Sequence, residues 1–540
     1  MSPAAAIAPG EALALHRRLA GSPDPLGLYA ALTDNGRRRD TFLLERTVGP
    51  SLLMDQAAVR IECYGHEVIL AALSEGGRHV LGTVAARLPE FVAESADDQL
   101  RLRFPPPAGV DAEERLRAPS PFDVLRALTG IPSASPEESF TLACLGVVAF
   151  DHVDLFESLP APAEDPLGFP NFIFWLAESL VIFEPGMKPR AVCTAFGAED
   201  NTAAQRAYFG AAERLASLVA RCERAARATI PAPAPGVVSR DMSEVDLDDD
   251  AYAAVVARMK EHIAAGDIYQ VVPSRTFRAP CKDPLRSFAA IRRLDPSPYH
   301  FFVAGPRHLL FGASPETSVR VFEEDKVQKV EVKPIAGTRK RGLTEDEDDR
   351  MEAEMRLDHK ETAEHMMLVD LARNDVARVS VPGSRRVAKL MTVERYARVM
   401  HLVSSVVGLL RPGLDALHAL QACLNVGTLT GAPKIRATEL LRGAEVTKRG
   451  PYGGAIGWIN GGGLMDTGVV IRSAVVMDDV AYVRAGAGVV HDSIPHLEAD
   501  ETRRKASAML SALAATGDEQ DTAAAEAEVA CEPASEEEAR

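Results

Sequence analysis

Two glutamates in predicted helices have the chemistry of ligands for a divalent cation. Glu364 lies in a helix predicted over Asp358–Arg373, and at about 100° per residue it shares a face with Leu368 and Leu371. A carboxylate on a buried helix face is costly unless it is paired or binds a cation. Glu501 lies near the start of a predicted closing helix. Because Mg²⁺ prefers few carboxylates together with water and substrate oxygens, the two side chains could share one ion.

Both glutamates also have a purely structural interpretation. Glu364 could form an ion pair with Arg373 or Lys360, and Glu501 could form a solvated pair with Lys505, four residues further on. The pattern alone leaves both interpretations open.

A histidine and an arginine interrupt apolar runs. His401 stands between Met400 and Leu402, where a lone histidine is usually a satisfied core residue but can also act in catalysis. Arg472 interrupts a predicted strand over Val469–Met477. A buried arginine needs an anion, and its planar guanidinium can bind a carboxylate through two hydrogen bonds.

A glycine-rich run, Arg484-Ala-Gly-Ala-Gly-Val-Val-His491, could let backbone N–H groups approach an anion closely. His491 stands where the third glycine of a dinucleotide-binding fingerprint would be, and the sequence contains neither a phosphate-binding P-loop nor a G-x-S-x-G nucleophile elbow. An anion cradle and a plain tight turn both remain open.

The net charge of −17 is concentrated at the end of the chain. Residues 517–540 carry nine acids and one base, a net of −8, which leaves −9 for the first 516 residues. This tail has no aromatic residue, so we expect a disordered, solvated extension. The mildly acidic remainder disfavours nucleic acid as a main partner, because neutralising phosphates requires a basic face.

Other classes of protein are excluded by pattern. No apolar stretch approaches the roughly 18–20 residues that span a bilayer, and Met1–Gly10 does not resemble a secretory signal. The seven cysteines are far apart and form no C-x-x-C pair, which argues against a zinc ribbon or a disulfide framework. We expect a cytoplasmic protein without membrane association.

The mixture of predicted helices and strands favours an α+β protein. A hairpin is predicted around Tyr64-Gly65-His66, and a second one around Asp478-Asp479. Alternating prolines at Thr229–Ser239 predict an extended linker. The chain therefore divides into residues 1–228, the linker 229–239, a larger part 240–516 and the tail 517–540.

Many short motifs of the chain occur together in one enzyme family. They are Gln270-Val-Val-Pro-Ser-Arg275, Asp295-Pro-Ser-Pro-Tyr-His300, Phe311-Gly-Ala-Ser-Pro-Glu316, Pro334-Ile-Ala-Gly-Thr338, His359-Lys-Glu-Thr-Ala-Glu-His365, Gly427-Thr-Leu-Thr-Gly-Ala-Pro433, Tyr452-Gly-Gly-Ala-Ile-Gly457 and Ala499-Asp-Glu-Thr502. In this order they resemble the chorismate-utilising enzymes, and within that family anthranilate synthase component I. The resemblance runs from about Thr41 to Ala515. It implies an α+β fold of two packed antiparallel sheets with helices outside, and a chorismate-binding catalytic domain at 240–516.

The resemblance also implies roles for individual residues. Glu364 and Glu501 become ligands of Mg²⁺, with Glu498 near them. The implied chorismate contacts are Gly337, Thr338, Tyr452, Arg472, Gly486, Ala487, Gly488 and Lys505. Glu316 matches the acid that protonates the departing C4 hydroxyl, His401 matches the histidine implicated in pyruvate elimination, and Thr428 supports them. A dianionic substrate explains the cations, and a poor leaving group explains the acid.

The residues at two positions distinguish between the enzymes of this family. Isochorismate and salicylate synthases have a water-activating lysine where this chain has Gln270, and aminodeoxychorismate synthases typically have a nucleophilic lysine where it has Ala336. Ammonia is therefore the expected nucleophile, adding at C2 before pyruvate is lost and anthranilate forms. The sequence has no G-x-C-x-G glutaminase elbow, so the resemblance implies a separate glutamine amidotransferase subunit, component II.

The family's tryptophan feedback site is altered in this chain. Arg46 replaces the serine of the L-L-E-S motif, and Asp295 and His300 stand where enteric-type relatives have Asn and Met. The residues implied at this site are Arg46, Pro298, Tyr299 and His300. A bulky cation beside the ammonium of tryptophan disfavours binding, although Asp295 could offset part of its charge. We expect weak or absent inhibition by tryptophan.

Two other functions remain open at this point. A 2-amino-2-deoxyisochorismate synthase of secondary metabolism would perform the same amination and keep the pyruvyl group. A catalytically inactive paralogue is disfavoured because Glu316, Glu364, His401, Arg472 and Glu501 are all present.

Overall fold

The computed structural model describes residues 7–106, 111–161, 163–197, 200–233, 244–395 and 399–529. Strands dominate before the predicted linker, and the elements there are β1 (Ala12–Arg18), α1 (Pro25–Leu32), β2 (Thr41–Arg46), β3 (Ser51–Tyr64), β4 (Glu67–Ala72), α2 (Glu75–Arg87), β5 (Val92–Ser95), β6 (Gln99–Arg103), α3 (Ala112–Arg117), α4 (Asp123–Thr129), β7 (Cys144–Val148), β8 (Phe172–Phe183), β9 (Arg190–Phe196) and α5 (Asn201–Arg224).

Helices are interspersed with runs of strands after the linker. The elements there are β10 (Glu244–Val245), α6 (Asp249–Ala264), β11 (Gln270–Val271), β12 (Ser274–Pro280), α7 (Pro284–Leu294), β13 (Tyr299–Ala304), β14 (Leu309–Ser314), β15 (Thr317–Glu324), β16 (Val327–Val332), β17 (Ile335–Lys340), α8 (Glu345–Leu357), α9 (His359–Val379), β18 (Arg386–Arg395), β19 (Val399–Leu409), α10 (Ala416–Cys423), β20 (Gly431–Ala432), α11 (Lys434–Ala444), β21 (Ala455–Ile459), β22 (Met465–Val469), β23 (Ser473–Met477), β24 (Val480–Gly486) and α12 (Pro495–Val529).

Local chemistry explains where several helices begin. The Asp248 carboxylate accepts a hydrogen bond from the N–H of Ala251 at 2.8 Å and caps α6. The Asp283 carboxylate caps α7 in the same way through Arg286, and Pro284 occupies the first turn, where no N–H is needed. α7 ends at Leu294, immediately before Asp295, which lies next to the site described below.

One antiparallel network joins the N-terminal segment to the C-terminal part. β2 pairs with β13, and β7 pairs with β21. The strands form a continuous network that closes on itself, apart from β11 and β20, which pair with each other. α12 packs on β24 and β12, while α9 packs on β19 and β17. The predicted α+β class of antiparallel strands and helices is confirmed, whereas the two sheets that we expected are joined in one continuous network.

Several predicted elements are confirmed and one is wrong. The hairpin around Tyr64-Gly65-His66 joins β3 to β4, and the hairpin at Asp478-Asp479 joins β23 to β24. The predicted strand Val469–Met477 is instead two strands, because β22 pairs with β15 and β21 whereas β23 pairs with β14 and β24. The chain must bend between them, and Arg472 lies in the bend.

The end of the chain also differs from expectation. α12 continues to Val529, past Thr516 and into the segment for which we predicted disorder. Alanine and glutamate, which are frequent at 522–529, have high helix propensity. Residues 530–540 and most of the predicted linker (234–239) lie outside the described residues. Among the helices that are described, none combines the length and apolar character needed to cross a bilayer.

Candidate active site

Glu316 is a buried carboxyl group between β14 and β15. Its Oε1 accepts a hydrogen bond from Thr428 Oγ1 at 2.8 Å. Burial raises the pKa of Glu316 to about 8, while the hydrogen bond from Thr428 and the charge of Lys505 act to lower it. A carboxyl group with this pKa is mostly protonated at neutral pH and can donate a proton to a substrate.

Lys505 connects this acid to the glycine-rich run. From α12 its Nζ donates a hydrogen bond to the carbonyl of Gly486 at 3.0 Å and pairs with Glu501 at 2.8 Å. A Cβ at Gly486 would stand 2.6 Å from the carbonyl oxygen of Pro273 and 3.2 Å from the Tyr452 hydroxyl, so this position requires glycine. Burial raises the pKa of Tyr452 to about 12, which keeps its hydroxyl neutral.

Gln270 lies beside the same run. A Cβ at Gly488 would stand 3.0 Å from Gln270 Nε2. Gln270 is buried, and its Oε1 has no hydrogen-bond partner among the described residues. A buried amide oxygen in this state is placed to accept a hydrogen bond from a bound N–H or O–H group.

The run itself is extended, and the tight-turn interpretation is wrong. β24 ends at Gly486, and the N–H of Val489 returns to the carbonyl of Val271 at 2.8 Å. The N–H of Ala487 points at the Tyr252 hydroxyl, 3.2 Å away. The glycines are needed because Tyr452 and Gln270 come so close to the backbone.

His401 lies on β19, opposite Thr338 of β17. The structure describes the backbone of Thr338 but not its side chain. His401 Nδ1 is 3.3 Å from the carbonyl oxygen of Gly337, which has φ +65°. Burial lowers the pKa of His401, and the positive charge of Arg472 lowers it further. His401 is therefore a neutral imidazole at physiological pH, able to accept a proton.

Arg472 is in a strained backbone conformation and not on a strand. Its φ is +48°, a region that residues other than glycine seldom occupy. The prediction that it lies on a strand is wrong, because β22 and β23 pair with different strands and the chain bends between them. Its Nη1 pairs with Asp295 Oδ2 at 2.9 Å.

Backbone hydrogen bonds bring the bend at Arg472 against the other groups. The N–H of Val469 donates to the carbonyl of Glu316 at 2.9 Å, and the N–H of Gly453 donates to the carbonyl of Val470 at 2.8 Å. The structure thus gathers the acid, the histidine, two cationic side chains and the glycine-rich run around one location.

The two predicted metal ligands lie on helices that border this location. Glu364 is half-buried, one helical turn before Leu368 and two before Leu371, and both leucines line a pocket together with Glu316 and Thr428. The structural alternatives were an ion pair of Glu364 with Arg373 or with Lys360. Arg373 pairs with Asp370 at 2.6 Å, and the side chain of Lys360 lies outside the described residues.

Glu501 forms the pair with Lys505 that its spacing predicted, and Glu498 is buried one turn earlier. In the described part of the chain, no group of three or more His, Cys, Asp or Glu side chains is arranged to hold a metal ion. Mg²⁺ does not need such a group, since it usually takes one or two carboxylates and completes its shell with water and substrate oxygens. Glu364 and Glu501 are two carboxylates of the type that such a site uses.

At the predicted regulatory site, Arg46 lies over the ring of Tyr299. The guanidinium of Arg46 lies 3.7 Å from the centre of the Tyr299 ring and forms an ion pair with Asp466. Both side chains of this pair are less than 10% exposed. The Tyr299 hydroxyl donates to Asp466 at 2.8 Å, so one carboxylate binds both groups. Asp466, and not Asp295 as we considered from the sequence, compensates the charge of Arg46.

The two other residues of this site contact neighbouring backbone. The carbonyl of Pro298 accepts a hydrogen bond from Thr47 N–H at 3.1 Å. His300 Nε2 is 2.7 Å from the carbonyl oxygen of Asp295, and burial lowers the pKa of His300.

Sequence reasoning missed two residues of these sites. Asp466 lies on β22 and Tyr252 on α6, both far along the chain from the residues that they contact. An acid that follows two apolar residues in a predicted strand region, as in Leu464-Met-Asp466, is a sign of a buried ion pair that could have indicated Asp466. The sequence contains no comparable sign for Tyr252.

The sequence of this chain is similar to that of known proteins. A family described as chorismate binding enzyme matches residues 89–511. The chain belongs to this family. Anthranilate synthase component 1 of Vibrio cholerae serotype O1 is 43% identical over 518 residues, which are 92% of this chain and 96% of that protein. A pyocyanine-specific anthranilate synthase component 1 of Pseudomonas aeruginosa is 42% identical and covers 91% and 92%.

The fold agrees as well. The crystal structure of anthranilate synthase component I from Streptococcus pneumoniae TIGR4 has a TM-score of 0.63 to this chain, with 28% sequence identity, and covers 86% of this chain and 93% of that one. The chorismate binding enzyme family therefore accounts for both the fold and the sequence. The location around Glu316 is the candidate site for chorismate.

Proposed function

We propose that this chain is the large component of an anthranilate synthase. It would aminate chorismate at C2 with ammonia and then eliminate pyruvate. The observation that carries the proposal is the buried Glu316 carboxyl group beside Thr428, whose pKa burial raises to about 8. Family membership and the names of the relatives support it.

The residues divide the chemistry between them. Arg472 and Lys505 supply positive charge for the two carboxylates of the substrate. Glu316 donates its proton to the C4 hydroxyl, which leaves as water while ammonia adds at C2 and loses a proton. His401, as a neutral base, would take up a proton when pyruvate leaves and the ring becomes aromatic. Gln270 cannot act as a base for water, which leaves ammonia as the nucleophile.

We propose Mg²⁺ as the metal, held by Glu364 and Glu501. When bound, it would neutralise part of the charge on a substrate carboxylate. The exposed Lys505–Glu501 pair contributes little to stability, so Glu501 can exchange this partner for the metal at small cost.

Ammonia would come from a separate amidotransferase, component II. We expect the purified chain, given chorismate and Mg²⁺, to form anthranilate and pyruvate from ammonium salts and to use glutamine only after an amidotransferase subunit is added. Anthranilate fluorescence and a pyruvate assay measure the two products. Robust glutamine-driven turnover by the single chain would contradict the subunit proposal. A product that keeps its enolpyruvyl group would favour 2-amino-2-deoxyisochorismate synthase instead.

We propose a cytoplasmic enzyme with little or no tryptophan inhibition. The six cysteines in the described residues are all buried, free thiols, as is usual in a reducing compartment.

The buried Arg46–Asp466 pair occupies the face of Tyr299, so the ammonium of tryptophan would meet a cation there. Weak inhibition by tryptophan would suit a specialised role for this enzyme, and the name of the pyocyanine-specific relative is consistent with such a role.

Replacing Arg46 with serine tests the regulatory proposal. We expect the wild-type enzyme to need millimolar tryptophan or more for half-inhibition. We expect Arg46→Ser to lower that concentration at least about tenfold, because it removes both volume and a buried positive charge. Inhibition curves measure the effect, and Arg101→Ser, an arginine of β6 in exposed ion pairs, is the control. Micromolar half-inhibition of the wild-type enzyme would refute the proposal.

A further inference from the structure

Asp295 is the partner of the arginine on which chorismate binding depends in our proposal. Arg472 lies in a bend between β22 and β23 with a positive φ, and its side chain is 31% exposed. A partly exposed arginine on a short bend can adopt many rotamers, and fixing one of them is costly in entropy. The ion pair with Asp295, 2.9 Å long, selects one direction for the guanidinium.

Asp295 is itself held from three sides. It ends α7, and its backbone N–H donates to the carbonyl of Ile291 at 2.8 Å. Its Oδ1 accepts from Ser297 Oγ at 2.7 Å, and its carbonyl oxygen is 2.7 Å from His300 Nε2. Since Oδ1 is committed to Ser297, Oδ2 is directed towards Arg472. The side chain of Asp295 is only 13% exposed, so solvent weakens this pair less than a surface pair.

The geometry of the pair leaves room for a substrate. Among the described residues, Arg472 uses Nη1 alone for its ion pair, so the edge formed by Nε and Nη2 is not taken by Asp295. That edge has the two parallel donors that a carboxylate accepts. A carboxylate at this edge would find the arginine already oriented.

We propose that Asp295 is a positioning residue that orients Arg472 for a carboxylate of chorismate. The inference rests on the proposed function, because it assigns Arg472 to the substrate. It explains why an acid stands beside an arginine that must bind an anion: the acid takes one nitrogen and leaves the forked edge open. It also brings the connection between α7 and β13 into contact with the active site. This connection precedes Tyr299, which lies opposite Arg46 in the pairing of β13 with β2.

Kinetics with chorismate at saturating ammonium and Mg²⁺ test this inference. An oriented arginine binds the substrate and the transition state alike, so its loss raises KM more than it lowers kcat. We expect Asp295→Ala to raise the KM for chorismate about 10- to 100-fold while kcat changes by less than about threefold. Asp295→Asn keeps an oxygen acceptor for Arg472 and should recover most of the KM. Ser297→Ala, which frees the carboxylate from its second partner, should give a smaller rise.

Two further variants make the result specific. Glu113→Gln breaks an exposed ion pair with Arg411, 2.7 Å long and outside the site, and should leave both kinetic constants unchanged. Arg472→Ala measures the full loss of the arginine. An unchanged KM in Asp295→Ala, while Arg472→Ala loses chorismate binding, overturns the inference and leaves the proposed function intact. If the wild-type enzyme does not consume chorismate, the proposed function itself fails.

A purely structural role for Asp295 has a different signature. It would lower kcat and the melting temperature in all the Asp295 variants, without rescue by asparagine, and that result also overturns the inference. If Asp295→Ala does not fold, Ser297→Ala still decides the question, because an unchanged KM in that variant contradicts the inference.

Discussion

Glu316→Gln is expected to lower kcat by about 10²- to 10⁴-fold, the usual contribution of a general acid. Glutamine preserves the shape of the side chain and can still accept the hydrogen bond from Thr428, but it has no acidic proton for the departing hydroxyl. The KM for chorismate should change far less than kcat. Glu323→Gln, an exposed glutamate on the adjoining strand β15, is the matched control and should have wild-type rates. A kcat for Glu316→Gln close to that of the wild-type enzyme would remove Glu316 from the mechanism.

The same prediction has a pH dependence with a definite sign. The acid acts in its protonated form, so turnover should fall as the pH rises through the Glu316 pKa of about 8. The hydrogen bond from Thr428 lowers that pKa, so Thr428→Val should shift the alkaline limb of the kcat profile to higher pH. A shift to lower pH would contradict the assignment.

Glu364→Gln and Glu501→Gln are each expected to raise the Mg²⁺ concentration for half-maximal activity by at least about tenfold. Loss of one of only two protein carboxylates removes half of the protein's charge on the ion. Titration of activity with Mg²⁺ measures the effect, and thermal unfolding shows whether the variants remain folded.

Controls for the metal prediction lie on the same two helices. Asp370→Asn on α9 and Asp500→Asn on α12 remove exposed carboxylates that pair with Arg373 and Arg504. Both should keep the wild-type Mg²⁺ requirement. Equal effects in controls and test variants would mean that general charge, and not coordination, sets the requirement.

Sequence reasoning was most successful where the determinants are local. Apolar periodicity and turn residues identified the helix α9, the β3–β4 hairpin and the turn at Asp478-Asp479, because each depends on residues close together in the chain. It failed at Val469–Met477, where an unbroken run of β-forming residues predicted one strand. Competition between two sets of pairing strands breaks that run, and no local signal reports such competition.

The sequence by itself determined the chemical types at the site: an acid, a histidine, an arginine, a lysine and two helical glutamates. It also determined the family, through motifs whose order is specific. Only the tertiary structure decided what each group contacts. Burial set the pKa of Glu316, and pairing across more than 400 residues joined Arg46 to Asp466.

Asp295 shows the same division most clearly. The sequence placed it near the altered regulatory motif and suggested that it could offset the charge of Arg46. The structure turns its carboxylate towards Arg472 instead, because Ser297 and the end of α7 fix its direction. Ion pairs depend on positions in space to within about 1 Å, and those positions result from packing of the whole chain, which spacing along the sequence does not encode.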